Sequence, residues 1–192
     1  MLELLRHGDT GQVGFRGQLD DPLTPAGWAQ MEAAVAGRYW QRIVSSPLRR
    51  CHGFAQTLSM RLGVPLQVEP ALAEYDFGEW TGRTPAELHA EQPQALGQFW
   101  ADPAAHPPPG AEPLLAFAQR VNDGLHRLRM VAKGQRVLAV THGGVMRLLL
   151  CQQRGWPLSR MSGIDVPHAC LIRLRPAPAP TGGVKREPGL PA

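Results

Sequence analysis

The 192-residue sequence has the size and composition of a single globular domain, with 43% apolar residues available for a core. It contains no run of about 18 apolar residues and no secretory signal pattern, so we expect a cytoplasmic protein with no membrane partner. The net charge of +4 comes without basic runs interleaved with aromatic residues, which argues against a nucleic-acid partner. Cys51, Cys151 and Cys170 are too few and too widely spaced for a disulfide framework or a zinc cluster.

The first half of the chain alternates between strand and helix patterns. Short apolar runs that end in turn residues predict strands, and segments rich in Ala, Met and Glu predict helices. Thr24 and Pro25 are typical of an N-cap and a first helical position, and Gly63 is typical of a helix end. The predicted strands are 2–5, 42–46 and 64–70, and the predicted helices are 23–40 and 48–63.

The second half begins with a proline-rich segment, 101–113, which is predicted to be a loop between helices. It is either a lid that determines substrate specificity or an ordinary surface loop. Apolar residues at spacings of three and four then predict an amphipathic helix at 113–134. The domain, residues 1–175, is completed by a strand at 136–141, a helix at 144–155 and a strand at 169–175. The segment 176–192 is rich in Pro, Ala and Gly and is predicted to be disordered.

Strands that alternate with helices predict an α/β domain with a largely parallel sheet. In such a sheet, ligands bind at the carboxyl ends of the strands. The first predicted strand ends in Arg6, His7 and Gly8, the second in "SSPLRR" (45–50) and the fourth in "THGG" (141–144). Segments that lie far apart in sequence therefore bring two His and up to three Arg residues to one edge of the sheet.

These strand ends have the chemistry of an anion site. Guanidinium groups repel cations and match phosphate oxygens with forked donors, so we expect neither a metal nor another cofactor. Gly143 and Gly144 precede an apolar helix whose N-terminus favours an anion. An imidazole among guanidinium groups can attack phosphorus, because the arginines neutralise the charge that would repel it and lower the imidazole pKa. Taken singly, each motif also fits a structural histidine, a turn or a solvated basic face.

Five motifs together resemble the histidine phosphatase superfamily, also called phosphoglycerate mutase-like. They follow the order of the family and are "LLRHGDT", "DDPLTPAGWAQ", "VSSPLRRC", "LAEYDFGEWTGR" and "VTHGGVMR". The resemblance implies a three-layer α/β/α sandwich with a mostly parallel central sheet. Within the superfamily, the sequence most resembles the bacterial α-ribazole phosphatases.

The resemblance implies a role for one or two residues in each chemical motif. His7 matches the nucleophile that becomes a phosphohistidine, and Arg6 matches its neighbour in the phosphate pocket. Arg50 matches the phosphate ligand that follows "SPL" and a variable position, and His142 matches the second histidine of the pocket. Glu74 matches the general acid that protonates the leaving oxygen and later accepts a proton from the attacking water.

Further candidates surround these residues. Three other acids, Glu3, Asp76 and Glu79, are alternatives to Glu74 as the general acid. Thr10 and Gly143 are predicted to be additional phosphate-binding residues.

The sequence departs from the family pattern near Val13, where the family often has an Asn that donates to phosphate. Gln12, Arg16 or Gln18 could supply that contact instead. The tryptophans are predicted to lie in the core or in a pocket wall. The remaining histidines lack ligand spacing and are predicted to be surface or structural residues: His52, His89, His106, His126 and His168.

The resemblance implies a phosphomonoesterase that acts through a phosphohistidine on a small-molecule phosphate ester. The predicted substrate is α-ribazole 5′-phosphate, which would yield α-ribazole in cobalamin biosynthesis. A broad-specificity sugar-phosphate phosphatase and a phosphoglycerate mutase-like enzyme remain alternatives. A non-catalytic phosphate-ester binding module is the alternative from another class. The sequence also leaves a homodimer open.

Overall fold

A computed structural model describes residues 1–175 and has the predicted α/β architecture. The segment 176–192, predicted to be disordered, lies outside the described residues. Five strands form one sheet in the order β3-β2-β4-β1-β5. Their bounds are β1 (Leu2–Arg6), β2 (Arg42–Ser45), β3 (Leu66–Val68), β4 (Val137–Thr141) and β5 (Leu171–Arg173).

The centre of the sheet is formed by β1 and β4, which run parallel with Arg6 opposite Thr141. β2 pairs in parallel with β4 on one side and with β3 on the other. β5 alone among the described strands is antiparallel, and it pairs with β1 at the sheet edge. The predicted mostly parallel sheet is therefore confirmed, and the carboxyl ends of β1, β2 and β4 meet at one edge.

Helices cover both faces of the sheet. Because side chains alternate along a strand, Leu5 of β1 belongs to the core shared with α1 and α2, and Leu4 belongs to the core shared with α5 and α6. This arrangement confirms the predicted three-layer sandwich. The helices are α1 (Pro25–Val35), α2 (Arg49–Leu62), α3 (Pro85–Glu91), α4 (Pro93–Ala101), α5 (Leu114–Val131) and α6 (Gly143–Gln153).

The helix α1 begins as predicted but ends earlier. The Thr24 hydroxyl accepts a hydrogen bond from the Gly27 N–H at 3.0 Å, which satisfies one of the free donors of the first turn. The predicted helix extended to residue 40. It ends at Val35 because Gly37 adopts a φ of 67° and turns the chain, so that Trp40 enters the core.

Two short helices, α3 and α4, were not assigned from the sequence. Thr84 and Glu87 form a capping box that begins α3. The two helices lie outside the central sandwich and belong to a third apolar cluster, built from Phe15, Trp80, Leu88, Leu96 and Phe99. The segment between α4 and α5 is a loop, as predicted. No helix within the described residues is both long and apolar enough to cross a membrane.

Candidate active site

The predicted site residues converge at the carboxyl edge of the sheet. The backbone N–H of His7 donates to the carbonyl of Thr141 at 2.9 Å, so the segment after β1 stays in contact with the end of β4. The N–H of Ser46 donates to the carbonyl of Val140 at 2.9 Å, which joins the end of β2 to the same strand. Three segments distant in sequence are thereby fixed within one site.

His7 is held in the tautomer that a nucleophile requires. Its side chain is 7% exposed, and its Nδ1 lies 2.8 Å from the carbonyl oxygen of Gly8. A carbonyl oxygen only accepts hydrogen bonds, so Nδ1 carries the proton and Nε2 keeps its lone pair. Burial, followed by the charge of Arg50, holds the pKa of His7 well below its usual value. The ring is therefore neutral at neutral pH.

Arg50 is a buried cation without a neutralising carboxylate. It is 1% exposed, and its guanidinium donates to the carbonyls of Leu19 at 2.5 Å and Gly17 at 2.7 Å. Its Nε has no partner among the described residues. The neighbouring Arg49 is exposed, so the side chain that reaches the site is the one the sequence motif selected.

Arg6 supplies a second cation beside His7. Its Nη1 donates to the carbonyl of Val166, and its Nε has no partner among the described residues. Burial is the main cause that lowers the pKa of Arg6, and nearby Glu74 acts in the opposite sense. Within the described part of the chain neither Arg6 nor Arg50 forms an ion pair with a carboxylate. The site is therefore electrostatically incomplete without an anion.

His142 packs against His7 and does not line the cavity. Its ring centroid is 5.3 Å from that of His7, it is fully buried, and its Nε2 lies 2.7 Å from the Ser46 hydroxyl. Burial and then Arg50 hold the pKa of His142 well below its usual value, so it too is neutral. Neither His142 nor Gly143 is among the described residues that line the cavity, whereas Gly144 is.

Glu74 is the one of the four candidate acids that faces the cavity. Its two carboxylate oxygens accept hydrogen bonds from the N–H groups of Tyr75 at 2.9 Å and Gly144 at 3.1 Å. The other three are engaged elsewhere or exposed. Glu3 accepts from the Trp40 indole, Asp76 accepts from the N–H of Gly78, and Glu79 is exposed.

The segment after β1 brings three more polar side chains to the cavity. Thr10 is buried and lines it, as its prediction as a phosphate-binding residue requires. Val13 is 72% exposed and provides no polar group where the family often has Asn. Gln12 and Arg16 also line the cavity, and Arg16 is paired with Asp21 at 2.9 Å. Gln18 instead donates to the backbone carbonyl of Glu74 at 3.3 Å.

An aromatic wall faces the cations across a cavity of about 460 Å³. We use that name for Phe15, Phe77, Phe99 and Trp100, whose rings contact one another with centroids 4.8–6.4 Å apart. Trp100 thus occupies the pocket wall, one of the two places predicted for tryptophans. The other three aromatics were not anticipated, because they become neighbours only through the packing of α4.

Two further cavity residues extend the predictions. His168 is exposed, in agreement with its prediction as a surface or structural residue, and its ring also lies 5.6 Å from that of His7 and lines the cavity. The reason is the turn before β5, which returns the chain to the end of β1. Arg147 also lines the cavity. Its position four residues after Gly143, on the same face of α6, was the available signal.

The described residues contain no group of three or more His, Cys, Asp or Glu side chains that could hold a metal ion. The donors that do converge are guanidinium groups, imidazoles and backbone amides, which suit an anion better than a cation. Guanidinium groups, imidazoles and a carboxyl group thus line one cavity.

Comparison with known proteins is consistent with this chemistry. The chain is 36% identical over 157 residues to a bifunctional protein of Mycobacterium tuberculosis, covering 78% of this chain but only 43% of that protein. It is 30% identical over 176 residues to the adenosylcobalamin/alpha-ribazole phosphatase of Escherichia coli, with 88% and 86% of the two chains covered. This chain therefore spans less than half of the first relative and most of the second.

A solved structure of a mycobacterial glucosyl-3-phosphoglycerate phosphatase has the same fold, with a TM-score of 0.76, 30% identity, and 88% of this chain and 87% of that chain covered. The Escherichia coli relative and the protein of the solved structure are named phosphatases, in agreement with the predicted phosphoric monoester hydrolase. The family model of the histidine phosphatase superfamily (branch 1) matches residues 2–181. The chain belongs to the histidine phosphatase superfamily.

Proposed function

We propose that the protein is a phosphomonoesterase that forms a phosphohistidine on His7. The observation that carries this proposal is the state of that imidazole. Its Nδ1 is hydrogen-bonded to the Gly8 carbonyl, its Nε2 keeps its lone pair, and its pKa is held low by burial and by Arg50. A neutral imidazole beside two guanidinium groups that lack carboxylate partners is a nucleophile prepared for a phosphate ester.

The first step transfers the phosphoryl group to the enzyme. The Nε2 lone pair of His7 attacks phosphorus, and the bond from phosphorus to the alcohol oxygen breaks. Arg6 and Arg50 neutralise the phosphoryl oxygens, and protonated Glu74 donates its proton to the leaving oxygen. The predicted contact of Thr10 with the phosphate would add a further donor, whereas His142, which does not line the cavity, would act through its packing against His7.

The second step regenerates the enzyme. The Glu74 carboxylate accepts a proton from a water molecule, whose oxygen attacks phosphorus as the bond from Nε2 to phosphorus breaks. Inorganic phosphate leaves, and His7 is again neutral. The guanidinium groups of Arg6 and Arg50 provide the charge stabilisation in both steps.

The test of this mechanism is the phosphoenzyme. Wild-type protein mixed with a radiolabelled ester and quenched in base should retain the label, which acid then removes. His7→Ala should retain none and should lose about 10³-fold or more in turnover, because the nucleophile is gone. His126→Ala, an exposed histidine on α5, is the matched control and should behave as wild type. Labelling of His7→Ala would overturn the mechanism, and binding without turnover by wild type would favour a binding module.

We further propose α-ribazole 5′-phosphate as the substrate, because the aromatic wall favours a leaving group that carries a planar ring. The name of the Escherichia coli relative includes alpha-ribazole, and that of the mycobacterial structure includes glucosyl-3-phosphoglycerate. A planar base can stack on Trp100 or Phe15 across its whole face, whereas a glycerate offers these rings no flat surface. The cytoplasmic location stays a prediction.

The substrate proposal is tested by a panel of α-ribazole 5′-phosphate, glucosyl-3-phosphoglycerate and 3-phosphoglycerate. We expect kcat/KM to be highest for the first. Trp100→Ala should lower kcat/KM for that ester by roughly tenfold, since stacking of a base on an aromatic side chain contributes about 1–3 kcal/mol. A higher kcat/KM for either glycerate ester would contradict α-ribazole 5′-phosphate as the preferred substrate, but it would not contradict the phosphohistidine mechanism. Isomerised product in place of phosphate would identify a mutase.

A further inference from the structure

The imidazole of His168 shares the cavity with the nucleophile. Its ring centroid lies 5.6 Å from that of His7, with an angle of 41° between the ring planes. Unlike the buried His7 and His142, His168 is exposed while it lines the cavity. Its nitrogens can therefore exchange protons with solvent and also reach an anion bound beside His7.

A tight turn holds His168 in this place. The Cys170 N–H donates to the Pro167 carbonyl at 3.1 Å, and the Ala169 N–H donates to the carbonyl of His7 at 3.2 Å. Ala169 has a φ of 54°, a left-handed conformation found at no other non-glycine residue of the described chain. Such strain persists where surrounding contacts enforce it, and it often marks a functional segment. Here it presents an imidazole next to the nucleophile.

The charges around His168 favour its neutral form while the cavity holds no anion. Partial burial of the ring and then Arg6 lower the pKa of His168, and Asp9 acts in the opposite sense. His7, the nearest titratable ring, is neutral, and Arg147 of α6 faces the same cavity. A phosphate ester adds between one and two negative charges at about pH 7. Bound among these cations, the phosphate would offset their positive charge, raise the pKa of His168 and so favour the imidazolium.

We propose that His168 is a phosphate-binding residue that takes up one proton from solvent when a phosphate group binds beside His7. The proton goes to a ring nitrogen, and the resulting N–H donates a hydrogen bond to a phosphoryl oxygen. No bond to phosphorus forms, and the proton returns to solvent when phosphate leaves. The inference rests on the proposed function, since it requires phosphate in this cavity.

The test measures protons and affinity together. Inorganic phosphate is titrated by calorimetry into wild type, His168→Asn and His126→Asn, in buffers of different ionisation enthalpy between about pH 6 and 8. Wild type and His126→Asn should take up more protons per phosphate than His168→Asn. Their affinity relative to His168→Asn should fall by up to about tenfold per pH unit between the pKa of the free imidazole and the higher pKa of the phosphate-bound imidazole. The ligand's own titration is common to all three proteins and cancels.

A second measurement uses only the wild-type protein, so it does not depend on whether a variant folds. The ring ¹⁵N signals of His168 in wild type are followed against pH with and without phosphate, and the midpoint of titration should move to higher pH when phosphate is present. Two results would contradict the role of His168 without contradicting the proposed function. One is phosphate binding that leaves the titration midpoint of His168 unmoved, and the other is equal proton uptake by wild type and His168→Asn. If wild type bound no phosphate at any pH, the proposed function would fall with it.

Discussion

The carboxylate of Glu74 is fixed by backbone amides rather than by a cation. The Tyr75 N–H donates to one oxygen and the Gly144 N–H to the other. Each oxygen keeps a further lone pair that can carry a proton or accept one from water. Because both donors belong to the main chain, the carboxyl group stays at a constant position relative to the nucleophile, and position is what proton transfer to a leaving group requires.

The replacement Glu74→Gln preserves shape but removes the transferable proton. We expect hydrolysis of an alkyl phosphate to slow by about 10²–10⁴-fold, since an alkoxide leaves poorly without protonation. Hydrolysis of p-nitrophenyl phosphate should slow far less, because its leaving group is already stable. The rates of both esters are compared with those of Glu79→Gln, an exposed acid nearby, which should match wild type. Equal slowing of the two esters would remove Glu74 from the proton-transfer role.

At the scale of elements, α6 approaches Glu74 so closely that only glycine fits at its start. A Cβ added to Gly144 would lie 2.3 Å from Oε1 of Glu74. The loop after β1 approaches α1 in the same way, because a Cβ on Gly8 would lie 2.2 Å from the Gly27 carbonyl. The glycines of "RHG" and "THGG" therefore set distances between elements, in addition to allowing backbone N–H groups near a ligand.

Gly144→Ala should displace the general acid and leave the helix folded. A shift of the carboxylate by about 1 Å would lower kcat/KM for alkyl phosphates by about 10²-fold. Alanine suits a helix better than glycine, so the free energy of unfolding should change by less than about 1 kcal/mol. Gly97→Ala on α4, where an added Cβ meets nothing within 4 Å, is the control for activity and urea denaturation. Wild-type activity in Gly144→Ala would contradict this packing.

At the scale of the whole molecule, the two buried imidazoles make folding depend on pH. Burial lowers the pKa of both His7 and His142 well below the usual value. The unfolded chain binds protons at these residues below about pH 6.5, whereas the folded protein does not. Above that pH the two rings are neutral in both states and do not change the free energy of unfolding. As the pH falls from about 6.5 toward the folded pKa values, only the unfolded chain binds protons, so the free energy of unfolding decreases.

Urea denaturation at several pH values measures this loss. Between pH 6.5 and the folded pKa values, the free energy of unfolding should fall by up to about 2.7 kcal/mol per pH unit, one proton for each imidazole. His7→Gln should reduce that slope by roughly half, and His126→Asn should leave it unchanged. A stability that stays constant from neutral pH to about pH 5 would show that the two rings are not held neutral.

Much of the site could be anticipated because it follows strands. Arg6 and His7 come directly after the buried β1, and His142 directly after β4, so the parallel sheet necessarily brings them to one edge. Arg50 could be distinguished from Arg49 only through the family resemblance. The structure shows the physical basis of that choice, since one guanidinium enters the site and the other faces solvent.

The sequence by itself determined the fold class and the end of the cavity that carries Arg6, His7 and Arg50, because periodicity and turn residues locate buried strands and hence their carboxyl ends. Only the tertiary structure determined which other residues line the cavity. Phe15 and Trp100 meet through the packing of α3 and α4, and His168 reaches His7 through the turn before β5. Contacts of this kind depend on how separate layers pack and on where a loop returns, which no local pattern of residues specifies.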